Sequence, residues 1–421
     1  GYPRWIGLTR RGVRALRGDA MKAAMKIQTT AVPGTVVHGG RFRAVAAWLK
    51  KHVVDNKAHM PALGTVRVEC DGTLLRLTGT DLGVAARVEL PAAGASFAPV
   101  CVEAKVLVAV LAAAKGDSIV VGTLGAGAEL VLTLNVGARA FKLPSVVAAV
   151  EYPEVVIEPV AGIPLNRCAY DVAQLLAGLD FALPAMSLDA TRYAMTGLYI
   201  EGNTLTSTDT HRMHHAVLDR STQAAQPAIL PPRAGHALRA ALVLAKDVEV
   251  SMTQPKTGGS FFSYTIRDRE NGGFLIQLVA KSIDGTFPTY QSVVPRPDTW
   301  RGDKGIRFYV SSTALAEALR ASVAVASERI KQVWLDVRDG ALEVSVQSAV
   351  QGRFSETLGA VRVERGDGSV LGYNGFYLRE IAELLEGELQ VEAMDNSSPA
   401  LFTVKTADRK GWFCLLMPMK L

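Results

Sequence analysis

The sequence predicts an α+β fold assembled from repeated units, and three observations predict it. Six segments carry apolar residues at helical spacing, β-rich alternating stretches broken by turn signals lie between them, and the helix starts recur at a near-constant interval. In RFRAVAAWLKKHV, residues Phe42, Val45, Ala46 and Leu49 form an i, i+3, i+4, i+7 stripe. The same spacing recurs at Val172, Leu175, Leu176 and Leu179, and at Leu238, Ala241, Leu242 and Ala245. Looser versions occur in EAKVLVAVLAAAK, STALAEALRASVAVAS and FYLREIAELLEGE.

The intervening stretches read as hairpins. VRVECDGTLLRLTGTD turns at Asp71-Gly72, GLYIEGNTLTSTDTHRM at Gly202-Asn203, and VWLDVRDGALEVSV at Asp339-Gly340. Helix starts are separated by roughly 62, 66, 64, 79 and 64 residues, room for one helix and several strands. The long interval contains QPKTGG, RDRENGG and the linker PRPDTWRGDKG, and the stretch around the first two reads as an added hairpin on the outer surface. One helix over one small sheet is a thin core, so two units per domain is the physically sensible grouping. That gives three similar domains, near 25–159, 160–297 and 298–421, with 1–24 as an N-terminal extension.

Composition sets further bounds. The 421 residues are 49% hydrophobic and 20% charged, and no apolar run approaches the ~20 residues that span a bilayer. The expectation is a soluble, cytoplasmic protein without a membrane partner. Cys70, Cys101, Cys168 and Cys414 lie far apart with no CxxC pair, which predicts free buried thiols. The net charge of +6 suggests nucleic acid, but it is concentrated at one end. Residues 1–24 hold six basic side chains against Asp19, leaving 40 basic and 39 acidic residues in the rest. A nearly neutral body cannot hold DNA by bulk charge alone.

Chemistry-bearing clusters are few. In TSTDTHRMHHAVL, the residues Asp209, His211, His214 and His215 would suit a metal-dependent hydrolase if they met at one ion. A strand alternates faces, however, so His211 and His215 share one side while Arg212 and His214 take the other. No second cluster offers the missing ligands, and the chain contains no GxSxG, P-loop, HExxH or strand-linked GxGxxG motif. The sequence thus predicts a non-enzymatic protein with no cofactor and no metal.

Five stretches point elsewhere. TDTHRM (208–213), IDGTFPTYQSVVP (283–295) and LLMPMKL (415–421) resemble signature segments of the bacterial β sliding clamp family, the β subunit of DNA polymerase III. GTLLRLTGTDL (72–82) and RYAMTGL (192–198) are also similar to clamp segments, and the resemblance runs from about Met25 to Leu421. It implies three similar domains, each of two helix-plus-antiparallel-sheet units, in a head-to-tail dimeric ring with helices lining the hole. It also implies the function: a processivity factor that encircles double-stranded DNA and is opened by an ATP-driven clamp loader. Its partners would be the DNA polymerase III alpha subunit, the clamp loader and other peptide-bearing replication and repair proteins.

The resemblance assigns residues as well. Lys57, Tyr193 and Arg233 fall at DNA-facing positions of the family. Lys50, Lys51, Lys105, Lys115, Arg239, Lys246 and Arg320 are further basic candidates on the helices. A partner-peptide pocket would be lined by Met195, Thr208, Thr210, His211, Arg212, Met213, Pro288, Val293, Leu415, Met417, Pro418, Met419 and Leu421. Flexible, polarizable methionines suit a groove that accepts many partners. The chain departs from the family pattern where Thr210 replaces a glycine, where Ser292 replaces a basic residue of some members, and where Lys420 replaces an arginine. The alternatives are a clamp paralogue serving repair or accessory factors, and the metal-dependent hydrolase.

Overall fold

The computed structural model describes residues 34–419 apart from 56, 58, 156, 158–164, 220–224, 245–246, 256–260, 270–272, 297–304, 324, 326–331 and 349–351. The 1–24 extension, Lys246, Lys420, Leu421 and most of the three long-interval loops therefore lie outside the described residues. Among the described residues there are six α-helices: α1 Gly39–His52, α2 Ala104–Ala113, α3 Val172–Ala182, α4 Pro232–Leu244, α5 Ser312–Val323 and α6 Gly375–Leu384. They coincide with the six stripes read from the sequence. The chain gathers into two compact units, one from residues 1–176 and 219–283, the other from 177–218 and 284–421.

The first unit is built on a twelve-stranded antiparallel sheet. Its main path runs Arg139–Pro144, Val131–Val136, Ser118–Leu124, Gly34–His38, Val84–Gly94, Leu275–Lys281, Phe261–Asp268, Val248–Pro255 and Leu165–Tyr170. Helix α1 packs against α2 and α4. Its predicted stripe is the buried face, with Phe42, Val45, Ala46 and Leu49 each 0% exposed. Burying a side chain of the larger kind contributes roughly 1.5–3 kcal/mol. The Trp48 indole N–H, equally buried, donates to the Ala237 carbonyl at 3.0 Å and ties α1 to α4. The strands flanking QPKTGG and RDRENGG are regular members of this sheet, paired from Thr253↔Ser263 to Val248↔Asp268 and from Phe261↔Lys281 to Arg267↔Leu275.

The second unit holds a sheet path of Leu198–Gly202, Thr204–Thr208, Arg212–Val217, Phe413–Leu416, Ala400–Val404, Glu388–Ala393, Ile306–Ser311 and Arg362–Arg365. A separate four-stranded sheet orders Gly352–Leu358, Ala341–Ser348, Gln332–Arg338 and Ser369–Asn374. Helices α5 and α6 lie side by side, and Asn374 caps α6 by accepting the Phe376 N–H at 3.0 Å.

The predicted turns occur where glycine or a short polar residue permits them. Asp339 and Gly340 both have positive φ, 52° and 71°, and link strands paired up to Arg338↔Ala341. That is the two-residue hairpin geometry an Asp-Gly pair favours. At Asp71-Gly72, the Asp71 carboxylate accepts the Thr73 and Leu74 N–H groups at 2.9 Å, and Gly72 takes φ 94°. All four cysteines are buried and free. Among the described residues, no helix is long and apolar enough to cross a membrane.

Candidate functional site

The segments TDTHRM and LLMPMKL, about two hundred residues apart in the chain, become adjacent strands. Arg212–Val217 pairs antiparallel with Phe413–Leu416 in the register Arg212↔Leu416, Met213↔Leu415, His214↔Cys414 and His215↔Phe413. Past the strand, the Met417 N–H donates to the His211 carbonyl and the Met419 N–H to the Gly372 carbonyl, both at 2.8 Å. The apolar C-terminal stretch is thus held by a ladder and two further backbone bonds. Cys414 and Leu416 are fully buried, whereas Met417 is 42% exposed. Pro418 and Met419 are half-buried. One segment closes the sheet and also lays apolar side chains on the surface.

The turn before Arg212 is built by its own side chains. The Thr208 hydroxyl donates to the Arg212 carbonyl at 2.7 Å and accepts the Thr210 N–H at 3.1 Å. Asp209 Oδ1 accepts the N–H groups of His211 and Arg212, each at 2.9 Å. Thr210 has φ 77°, the left-handed region that suits glycine. A side chain there costs about 1–2 kcal/mol, and branching at Cβ adds to the strain. Its hydroxyl finds a partner, accepting from Arg192 Nη1 at 2.7 Å.

Arg212 fixes the turn from beneath. Its Nε lies 3.1 Å from Asp209 Oδ2, its Nη2 donates to the Pro184 carbonyl at 2.6 Å, and its Nη1 is paired with Glu380. The guanidinium also lies 4.2 Å from the Tyr377 ring centroid. Burial raises the Glu380 carboxyl above its ordinary range, with Arg212 pulling down and Asp209 pushing up. Burial and the Asp209 charge likewise raise Tyr377. Sequence reasoning missed both α6 residues, because nothing local marks a partner 168 positions away.

The histidines do not converge. Both faces of this strand are buried, so alternation separates His214 and His215 without exposing either. His214 Nδ1 bonds the Phe181 carbonyl at 2.7 Å, and its ring lies 5.2 Å from Phe181. His215 Nδ1 bonds the Thr206 hydroxyl at 2.8 Å, and its ring stacks on Phe413 at 4.7 Å. His211 is exposed, and Asp209 is committed to Arg212 and the turn. Among the described residues no group of three His, Cys, Asp or Glu side chains could hold a metal ion.

The FPTY loop is anchored by its aromatics. Phe287 stacks on Tyr199 at 4.7 Å, and Tyr290 lies 5.7 Å from His215. Those buried anchors leave Pro288 exposed and Val293 54% exposed. Ser292, which stands where some family members carry a basic residue, donates to the Thr289 carbonyl at 3.3 Å. Gly285 admits the Tyr193 ring, since a Cβ there would lie 3.1 Å from it. Met195 is half-buried, and its carbonyl accepts the Ser187 N–H at 2.9 Å. Met213 and Leu415 are buried.

The nucleic-acid candidates differ in freedom. Lys57 is exposed, and its backbone N–H is held by Asp55 at 2.9 Å. Tyr193 is 54% exposed. Arg233 is 36% exposed but engaged: it donates to the His52 carbonyl at 3.0 Å and the Val54 carbonyl at 2.7 Å, and pairs with Asp81 at 3.0 Å. Lys51, Lys105, Lys115 and Arg239 are exposed and Lys50 half-buried. Arg320 is paired with Glu383 at 3.0 Å.

No protein-family model matches the chain. Among solved structures, the β subunit of DNA polymerase III from Thermotoga maritima matches with a TM-score of 0.78, 18% identity, and coverage of 93% of this chain and all of that one. The sliding clamp of Bartonella birtlesii bound to griselimycin matches with a TM-score of 0.77 and 20% identity, again over 93% of this chain and 100% of that one. The fold is therefore that of the DNA sliding clamps. By sequence, the chain is 28% identical over 379 residues to the beta sliding clamp of Pseudomonas aeruginosa, covering 88% of this chain and 95% of that protein. It is 25% identical over 387 residues to the beta sliding clamp of Caulobacter vibrioides, covering 87% and 95%. In sequence and in fold the chain is thus similar to the bacterial beta sliding clamps, the β subunits of DNA polymerase III.

Proposed function

We propose that this chain is a non-catalytic DNA sliding clamp: it encircles duplex DNA as a head-to-tail dimer and tethers DNA polymerase III through its alpha subunit. The clamp loader and other peptide-bearing replication and repair proteins would use the same docking groove, and the protein would act in the cytoplasm. The observation that carries the reading is the pairing of Arg212–Val217 with Phe413–Leu416, which sets Met417, Pro418 and Met419 beside the TDTHRM turn. In this proposal Met195, Thr208, Thr210, His211, Pro288, Val293, Met417, Pro418 and Met419 line the groove, over a floor of Arg212, Met213 and Leu415; Leu421 lies outside the described residues.

A ring explains why a nearly neutral body suffices. Retention on DNA is topological, and modest phosphate contacts permit sliding. Lys57 and Tyr193 have the exposure such contacts need. Arg233 keeps only those of its five N–H donors that His52, Val54 and Asp81 do not use. The ring would close between copies through sheet-end strands, for which Arg139–Pro144 and Gly352–Leu358 qualify, since each terminates its sheet. Three domains with boundaries near 159 and 297 remain part of the proposal.

The deciding experiment is fluorescence anisotropy of a short peptide carrying glutamine followed by leucine and phenylalanine. Two buried anchors contribute roughly 1.5–3 kcal/mol each, and ordering the peptide offsets much of that. Micromolar binding is expected, lost when Met417 to Leu421 are removed. Equal binding by the truncated chain would place the groove elsewhere.

A further inference from the structure

We propose that Thr210 is a specificity-determining residue of the docking groove, acting by holding the Arg192 side chain across one edge of it. The inference rests on the groove assignment above and goes beyond it in naming what the edge excludes. Arg192 lies at the kink inside the Ala190–Met195 segment, with φ −105° and ψ 47°. Its Nη1 donates to Thr210 Oγ1 at 2.7 Å, and its Nε lies 3.6 Å from Asp189. The segment is fixed at both ends: Asp189 caps it by accepting the Thr191 N–H at 3.0 Å, and the Met195 carbonyl holds Ser187.

The turn at 208–212 is equally fixed, by Asp209 and Arg212. The Arg192–Thr210 bond therefore joins two rigid elements, both contributing groove residues. A glycine at 210 would satisfy φ 77° without strain but would offer no acceptor. Thr210 accepts the strain and supplies the hydroxyl. With the guanidinium pinned, that edge cannot swing outward to admit a large ring. The groove is accordingly matched to a peptide whose last apolar residue is leucine, and it disfavours phenylalanine there.

The test uses the full chain and two labelled pentapeptides that begin with glutamine and end in Leu-Leu or Leu-Phe. Anisotropy titrations should give the leucine peptide an advantage of about five-fold, the scale of one exposed charge-assisted contact of about 1 kcal/mol. Thr210→Val keeps the branched shape without the acceptor, and Arg192→Ala removes the donor. Each should bring the ratio close to one, and the double variant should change nothing further. Thr210→Ser retains the hydroxyl and should retain the preference. Thermal unfolding of each variant distinguishes lost discrimination from lost folding. An unchanged ratio in both Thr210→Val and Arg192→Ala overturns this inference and leaves the groove standing. If neither peptide binds the wild type or any variant, the groove assignment falls and this inference with it.

Discussion

The Met417 backbone N–H donates to the His211 carbonyl at 2.8 Å, so the last described turn of the chain is fastened to the TDTHRM segment. With Met419 bonded to Gly372, the apolar stretch after the Phe413–Leu416 strand is held by backbone bonds on both sides of Pro418.

Removing Met417 to Leu421 should therefore affect binding far more than folding. Two carbonyls lose partners, that of exposed His211 and that of buried Gly372, at about 1 kcal/mol each, while the Phe413–Leu416 strand remains paired. Urea unfolding should show that modest loss, with the cooperativity of the transition intact.

Arg212→Ala should be the most damaging single change at the site. It leaves Asp209 and the partly buried Glu380 without their cation and frees the Pro184 carbonyl. Breaking a buried pair from one side costs about 3–5 kcal/mol, and partial exposure of Glu380 reduces this to roughly 2–3 kcal/mol. Chemical denaturation measures it; a loss below half a kcal/mol would show that the network does not hold the turn.

Acid should destabilise the second unit through its histidines. Burial lowers His214 and His215 from 6.5 to about 4. Between those values the unfolded chain binds protons that the folded chain does not, so the stability is complete above pH 6.5 and falls as pH drops toward 4. The loss is on the order of 3 kcal/mol for each ring at full effect. Unfolding midpoints at pH 7.5, 6 and 5 test the trend, and imidazole resonances that titrate near 6.5 in the folded protein would contradict it.

Lys57→Ala and Arg233→Ala should separate two ways of serving DNA. Lys57 makes no side-chain bond among the described contacts, so its loss should lower the salt dependence of DNA affinity by about one unit of slope and leave the melting temperature unchanged. Arg233 joins α4 to the end of α1 and to Asp81, so its loss should also reduce stability, by about 1–2 kcal/mol. Parallel salt titrations and melting curves distinguish them.

The sequence by itself determined the elements. Local periodicity specifies which face of α1 is buried, and Asp-Gly pairs specify hairpins, because both depend on neighbours within a few residues. Five short segments in order also made the resemblance to the clamp family legible, and with it a pocket shared by TDTHRM and LLMPMKL. Only the tertiary structure decided the rest. It engaged Arg233 inside its unit, buried His214 and His215 on opposite faces, and brought Glu380 and Tyr377 under Arg212. It also gave the strained Thr210 a partner in Arg192, a residue the sequence reading passed over in favour of its neighbour Tyr193. Such pairings join side chains from distant segments, and no spacing within either segment encodes the other.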